Sequence, residues 1–492
     1  MRRLVPILMV AALWACGTQG LVDGPALDRF YFPAGMAHVQ VPGKTNGVLL
    51  VANANGDKRY TAGSVVAVDL DALPDLPQLG ASDGGVTKVY NLHLGEAQRA
   101  LIGNFAGELH LTEMKADTEW RAYVPTRAEG NGLFRVRLTM DGGTPMLSCI
   151  GGKESDGQNC LPTGLSMTPD KFAKYDAGIP RAPQPYGVAS AVRACTSDLD
   201  CCAAGATSTC GRTCTANACV VDADGTPFSD LWVTHISQAD APALSATNYR
   251  GYLVHVDSDS NFGPDSLTES SFVNIGYGAS NSAVAMGKWV YVTGRIATTA
   301  PNLIRLVKYD SSVVYDVQAQ AAVRVSDARA VQLSSDRTRL YMLGRLPDSL
   351  LIADIQGADT DAPSVLITKQ VPSIDAVIDL KVIPRAGKGD LIVISGGTSL
   401  GMIAIYDVDS GQHVAVVRGV GAQPSNLAVD VRGNAARIFA GDFGDGRVAV
   451  VDIDDLDRPQ DAKLVAHLGK QQVCLVLGEK SPNCRALAQE DR

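Results

Sequence analysis

Cysteine supplies most of the reactive chemistry in this chain. Eleven are present, and ten fall into three even groups: Cys149 with Cys160; Cys195, Cys201, Cys202, Cys210, Cys214 and Cys219; and Cys474 with Cys484. Even, local grouping is what a set of short disulfide loops requires, and it points to an oxidising compartment. Six cysteines in one segment allow many pairings, and spacing alone does not choose among them. Zinc is the competing chemistry, but residues 195–219 contain no histidine to share a tetrahedral site. The seven histidines, at 38, 93, 110, 235, 255, 413 and 467, are scattered, with no two at helical metal-ligand spacing. No H-E-x-x-H, phosphate-binding loop or C-x-x-C-H occurs. Asp257-x-Asp259-x-Asn261 opens like a calcium loop, but Phe262 stands where glycine is needed and Thr268 where a bidentate glutamate belongs. No cofactor is expected, and the chain leans toward binding rather than catalysis.

The eleventh cysteine, Cys16, closes an unusual N-terminus. Arg2 and Arg3 precede an apolar stretch, Leu4 to Trp14. That stretch is too short for the ~20 residues a spanning helix needs, and it has the length of an export-signal core. Leu13-Trp14-Ala15-Cys16 resembles the bacterial lipobox. The resemblance implies removal of residues 1–15 and lipid, including a palmitate-type acyl chain, on Cys16. Gly17 in place of aspartate implies the outer membrane. Loss of Arg2 and Arg3 would take the net charge from −9 to −11. An acidic surface of this kind argues against nucleic acid as a partner. No second apolar run approaches membrane-spanning length, so membrane contact is expected through the lipid alone. An envelope protein or a glycan is the expected partner.

Behind these residues lies a repeat of short apolar strands joined by Gly/Asp turns. Val284–Asp310, Val331–Ile355 and Leu427–Asp454 share one grammar: an apolar strand, a polar turn, a strand ending aromatic-apolar-small-polar, a second turn, and an apolar strand running to aspartate. Seven middle strands can be counted: Leu50–Asn53, Tyr123–Thr126, Trp232–His235, Tyr291–Gly294, Tyr341–Gly344, Val393–Gly396 and Phe439–Asp442. The last five recur at intervals of 59, 50, 52 and 46 residues. The segment Arg99–Glu113 fits either an outer strand or the start of a separate unit. The six-cysteine segment falls between a first strand (Gly187–Val192) and its partner (Leu231–His235). It is too short to bury a core without bridges.

These units resemble the YVTN-type β-propeller repeat, from about Ala34 to Leu468. The resemblance implies an all-β propeller of seven blades over 34–468. A lipidated tether (16–33) would precede it, a Cys-rich insertion (194–220) interrupt it, and a disulfide-tied tail (469–492) follow it. Arg127, Arg295 and Arg345 each follow their motif aromatic by four residues and would stand at equivalent heights near one mouth of the channel. Asn53, His235 and Asp442 would occupy comparable inner positions. Some propellers of this type are similar to lactonases with carboxylates and asparagine at the channel mouth, which implies a hydrolase as the alternative to a binding scaffold. No glutamate belongs to this inner set, a departure from the metal-dependent lactonase pattern.

Overall fold

A computed structural model describes residues 24–471, apart from 75, 81–86, 116, 128–131, 151–156, 168–183, 193–212, 216–217, 221–228, 239–248, 258–270, 278–280, 295–302, 310–313, 318–322, 324 and 398–399. The strands form seven antiparallel blades around a channel, a seven-bladed β-propeller. The innermost strands are, in order, Pro33–Val39, His110–Lys115, Gln184–Val192, Ala283–Met286, Asp327–Leu333, Leu380–Arg385 and Pro424–Arg432. Each pairs with a second strand, which pairs with a third, and so outward.

The seven second strands are Val48–Asn53, Glu119–Thr126, Ser229–Gln238, Trp289–Thr293, Arg339–Arg345, Lys388–Gly396 and Ala435–Asp442. They contain all seven middle-strand motifs apart from Gly294, which lies just past the end of its strand. Each is covered on both faces by neighbouring blades, so it reads as a continuous apolar run rather than an alternating one. Val48–Asn53, Trp289–Thr293 and Ala435–Asp442 are buried throughout. The outer strand of blade 5, Ser364–Pro372, is mostly exposed or half-buried. Between blades 6 and 7 the core is formed by Leu391, Val393, Ile403 and Ile405 against Leu427, Ile438, Ala440 and Val451. Hydroxyl side chains join adjacent blades. Thr234 Oγ donates to Asn281 O of blade 4 (2.9 Å), Ser395 Oγ to Ser425 O of blade 7 (2.8 Å), and Ser425 Oγ to Pro33 O of blade 1 (2.6 Å).

The ambiguous segment Arg99–Glu113 divides between two blades. Arg99–Ile102 is the outer strand of blade 1, and His110–Lys115 opens blade 2. Ring closure uses a device with no local sequence signal. Lys88–Tyr90, from the connection before that outer strand, adds a parallel fifth strand to blade 7 through Ala466↔Lys88, His467↔Val89 and Leu468↔Tyr90. Arg437 of blade 7 supports the same seam. It donates to both oxygens of buried Asp452 (2.7 Å each), to Asn46 Oδ1 (3.2 Å) and to Pro77 O (2.8 Å).

The Cys149–Cys160 disulfide is present. Cys214 and Cys219 face one another across the hairpin Thr213–Thr215/Ala218–Val220, and each is disulfide-bonded. This hairpin lies in the connection from the first to the second strand of blade 3 and so emerges opposite the end where innermost strands begin. Cys16, Cys195, Cys201, Cys202, Cys210, Cys474 and Cys484 lie outside the described residues, as does Arg295.

Candidate functional site at the channel mouth

Four of the innermost strands open with a register shift. The shifts fall between Pro33 and Gly35, Pro185 and Val188, Ala328 and Ala330, and Pro424 and Leu427. A bulge gives one strand an extra residue and re-aims its side chain. The residues passed over include Ala34, Tyr186, Arg329, Ser425 and Asn426, and all five line one cavity of about 200 Å³ at this end of the channel. Glu108, Arg127, Asn281, Asp379 and Phe443 complete its polar and aromatic wall. Every blade contributes.

The loops at this mouth are also where the backbone is strained. Among the described residues nine that are not glycine have positive φ, and seven lie in loops at this end: Phe32, Asn55, Lys58, Phe105, Leu346, Ala376 and Gln423. Such conformations cost of order 1–3 kcal/mol each and persist where surrounding structure imposes them, commonly at ligand sites.

An ion pair lies against the cavity: Glu108 and Asp379 line it, and Lys381 stands between their carboxylates. Glu108 precedes the first strand of blade 2, and Lys381 lies on the first strand of blade 6, which is not its neighbour in the ring. Lys381 Nζ stands 3.7 Å from Glu108 Oε1 and 3.4 Å from Asp379 Oδ2. Both contacts are longer than the 2.7–2.9 Å of a tight charge-assisted hydrogen bond. About a fifth of each side chain remains open (19% for Lys381, 21% for Glu108). Asp379 is held more firmly: its carboxylate accepts from Leu427 N and Leu380 N, both at 2.8 Å. Burial pushes the Glu108 carboxyl up to about 7; Lys381 pulls it down and Asp379 pushes it further up. Below, His110 is hydrogen-bonded through Nε2 to Ser190 Oγ at 2.7 Å. Burial and the Lys381 charge bring its imidazole down to about 4, so it is neutral at pH 7. At the rim the Arg127 guanidinium lies 4.4 Å from the Tyr186 ring centroid, and Arg329 pairs with Asp327 at 2.8 Å.

Of the residues expected from sequence, Arg127 reaches this cavity. The others that the structure describes lie one strand further out, because the first strand of each blade stands between them and the channel. Asn53 is buried, accepting from Tyr31 N (2.9 Å) and donating to Ser64 Oγ (3.1 Å). His235 is a core histidine between Val233 O and Met167 Sδ, each at 2.9 Å, and burial holds it down at about 3. Arg345 pairs with Asp348 at 3.7 Å, so with Arg127 stacked on Tyr186 the described arginines form no ring. Asp442 is fully buried behind Phe443, and burial with Asp445 beside it raises its carboxyl to about 8. Glu108, Asp379 and Lys381 were missed. Their signal is a charged residue interrupting an apolar first strand or its lead-in, as in GELHLTE and IDLKVI.

The chain matches no protein-family model and no curated protein. Among solved structures it is similar to the periplasmic gluconolactonase PpgL of Pseudomonas aeruginosa (13% identity, 89% of this chain and 94% of that one, TM-score 0.44). It is also similar to a candidate 6-phosphogluconolactonase of Bacteroides uniformis (13%, 77% and 83%, 0.42) and to a protein of unknown function from Desulfotomaculum acetoxidans (9%, 82% and 91%, 0.42). At these identities and scores no activity passes from them to this chain.

Proposed function

We propose that the protein is a lipid-anchored propeller of the bacterial cell envelope, held at the outer membrane, that binds a small polar ligand at its channel mouth. The observation that carries the binding reading is convergence. Bulges on four blades and strained loops on several deliver ionisable and amide side chains into one small cavity, which is a costly arrangement for a purely structural ring. The cavity is smaller than the roughly 300–1,000 Å³ of drug-sized sites, so the ligand is small. The anchor rests on the lipobox-like Leu13–Cys16 and on cysteine usage suited to an oxidising compartment.

The test is a thermal-shift screen of small sugars, amino acids and organic acids against the wild type and Asn426→Trp, which fills the mouth from a half-buried position. A compound that raises the wild-type Tm and leaves the variant unmoved supports the reading. No stabilising compound, or equal stabilisation of both proteins, refutes it.

One observation favours a hydrolase as a second reading. A carboxyl near neutrality beside a lysine suits a general base, and Glu108 has both properties. Turnover of lactones or simple esters that disappears in Glu108→Gln would establish it, and absence of turnover across such a panel would dismiss it.

A further inference from the structure

The ion pair against the cavity narrows the ligand class, in an inference that rests on the binding reading above. Lys381 is shared between two carboxylates, and they are not equivalent. Asp379 is fixed by two backbone N–H donors. Glu108 approaches from across the channel, at the longer distance of 3.7 Å, and its side chain keeps 21% exposure toward the mouth. The exchangeable partner of Lys381 is therefore Glu108. The rim adds Arg127 and Arg329, while Asn281 and Asn426 bring amides to the wall.

We infer that the mouth takes a small carboxylate, which replaces Glu108 on Lys381 while Glu108 takes up one proton from solvent. The exchange balances: one anion enters, one carboxylate becomes a carboxylic acid, and Lys381 and Asp379 keep their charges. The titratable and charged groups around Glu108 are Lys381 and Asp379 of blade 6, Arg127 and His110 of its own blade, Tyr186 of blade 3 and the Arg329–Asp327 pair of blade 5. Of these, His110 is neutral at pH 7 and Glu108 titrates near it. Binding then requires the neutral form of Glu108, and apparent affinity scales with the fraction of that form. The fraction falls as pH rises through about 7. Apparent Kd should weaken as pH rises through neutrality and approach about tenfold per pH unit once Glu108 is mostly ionised.

The experiment is isothermal titration of the full mature protein with lactate, succinate and glucuronate, with glucose as the uncharged control, in two buffers of different ionisation enthalpy. The expected result is a carboxylate that binds at pH 7 and above with net proton uptake, because burial raises the Glu108 carboxyl. Its affinity should follow the pH course above. Glu108→Gln should bind more tightly at pH 8 and lose the pH dependence, and Lys381→Met should abolish binding. The proton count on the wild type stands even where a variant fails to fold. Carboxylate binding without proton uptake overturns the inference, as does binding unchanged in Lys381→Met. Binding of glucose alone overturns it while leaving the binding reading intact; an empty mouth for every compound, including those of the thermal-shift screen, refutes both.

Discussion

Arg437 offers the sharpest test of how the ring closes. Its guanidinium and the Asp452 carboxylate are both buried, at 1% and 0% side-chain exposure. Arg437→Met keeps much of the side-chain volume but removes four hydrogen bonds, two to Asp452 and one each to Asn46 and Pro77. The larger effect is on what remains. Asp452 is left buried and unpaired, and removing one partner of a buried pair costs about 3–5 kcal/mol. Replacing both partners with apolar residues avoids that penalty, so Arg437→Met/Asp452→Leu should recover most of the loss. Urea unfolding at pH 7, with hydrogen exchange at residues 88–90 as a local readout, measures both. The single variant should also be less impaired at pH 5 than at pH 8. A lone buried carboxylate has its folded pKa raised above the unfolded value, so it destabilises the fold increasingly as pH rises above that unfolded value. A single variant within about 1 kcal/mol of wild type, or a double variant no better than the single, would show that the seam does not depend on this pair.

Three further outcomes follow from the same structure. Removing the Cys149–Cys160 bridge, by reduction or by paired serine substitutions, should cost about 3 kcal/mol for a loop of this length in the chain-entropy model, read as a lower denaturation midpoint. His235, His110 and His467 are buried and held down at about 3, 4 and 4. The unfolded chain binds protons that the folded one does not, so stability should fall as pH drops below about 6.5; a denaturation midpoint that stays flat from pH 7 to 5 would contradict this. Thr234→Val removes the hydroxyl bonded to Gly187 N, Gly187 O and Asn281 O. It should cost about 1–3 kcal/mol and increase hydrogen exchange at Gly187.

The blades could be read from the chain because their second strands are covered on both faces, which forces runs such as LIVISG and RIFAGD to recur at a steady interval. The Cys149–Cys160 loop was equally accessible, since both residues lie within one local excursion. The closing strand Lys88–Tyr90 was not: its partner, Lys463–Leu468, is far away in sequence, and three residues carry no periodicity. The mouth was misplaced for a different reason. Asn53 and Asp442 end their strands, and His235 lies near the end of its own, at the correct end of the channel, but the first strand of each blade shields them. Part of the cavity wall is put there by bulges at Ala34, Tyr186–Gly187, Arg329 and Ser425–Asn426, and the rest comes from the loops that lead into or out of the strands. A bulge breaks the period-two alternation from which facing is inferred. The Glu108–Lys381 pair adds a contact between non-adjacent blades, and no repeat unit encodes that alone.

Hydrogen–deuterium exchange with and without a stabilising compound from the screen tests the central claim most directly. Binding at the mouth predicts slowed exchange at residues 105–109, 184–187, 281–283, 327–330, 378–381 and 424–426, with the hairpin 213–220 unchanged. Protection confined to that hairpin or to the outer strands, with the mouth unaffected, would place the ligand elsewhere and contradict the account.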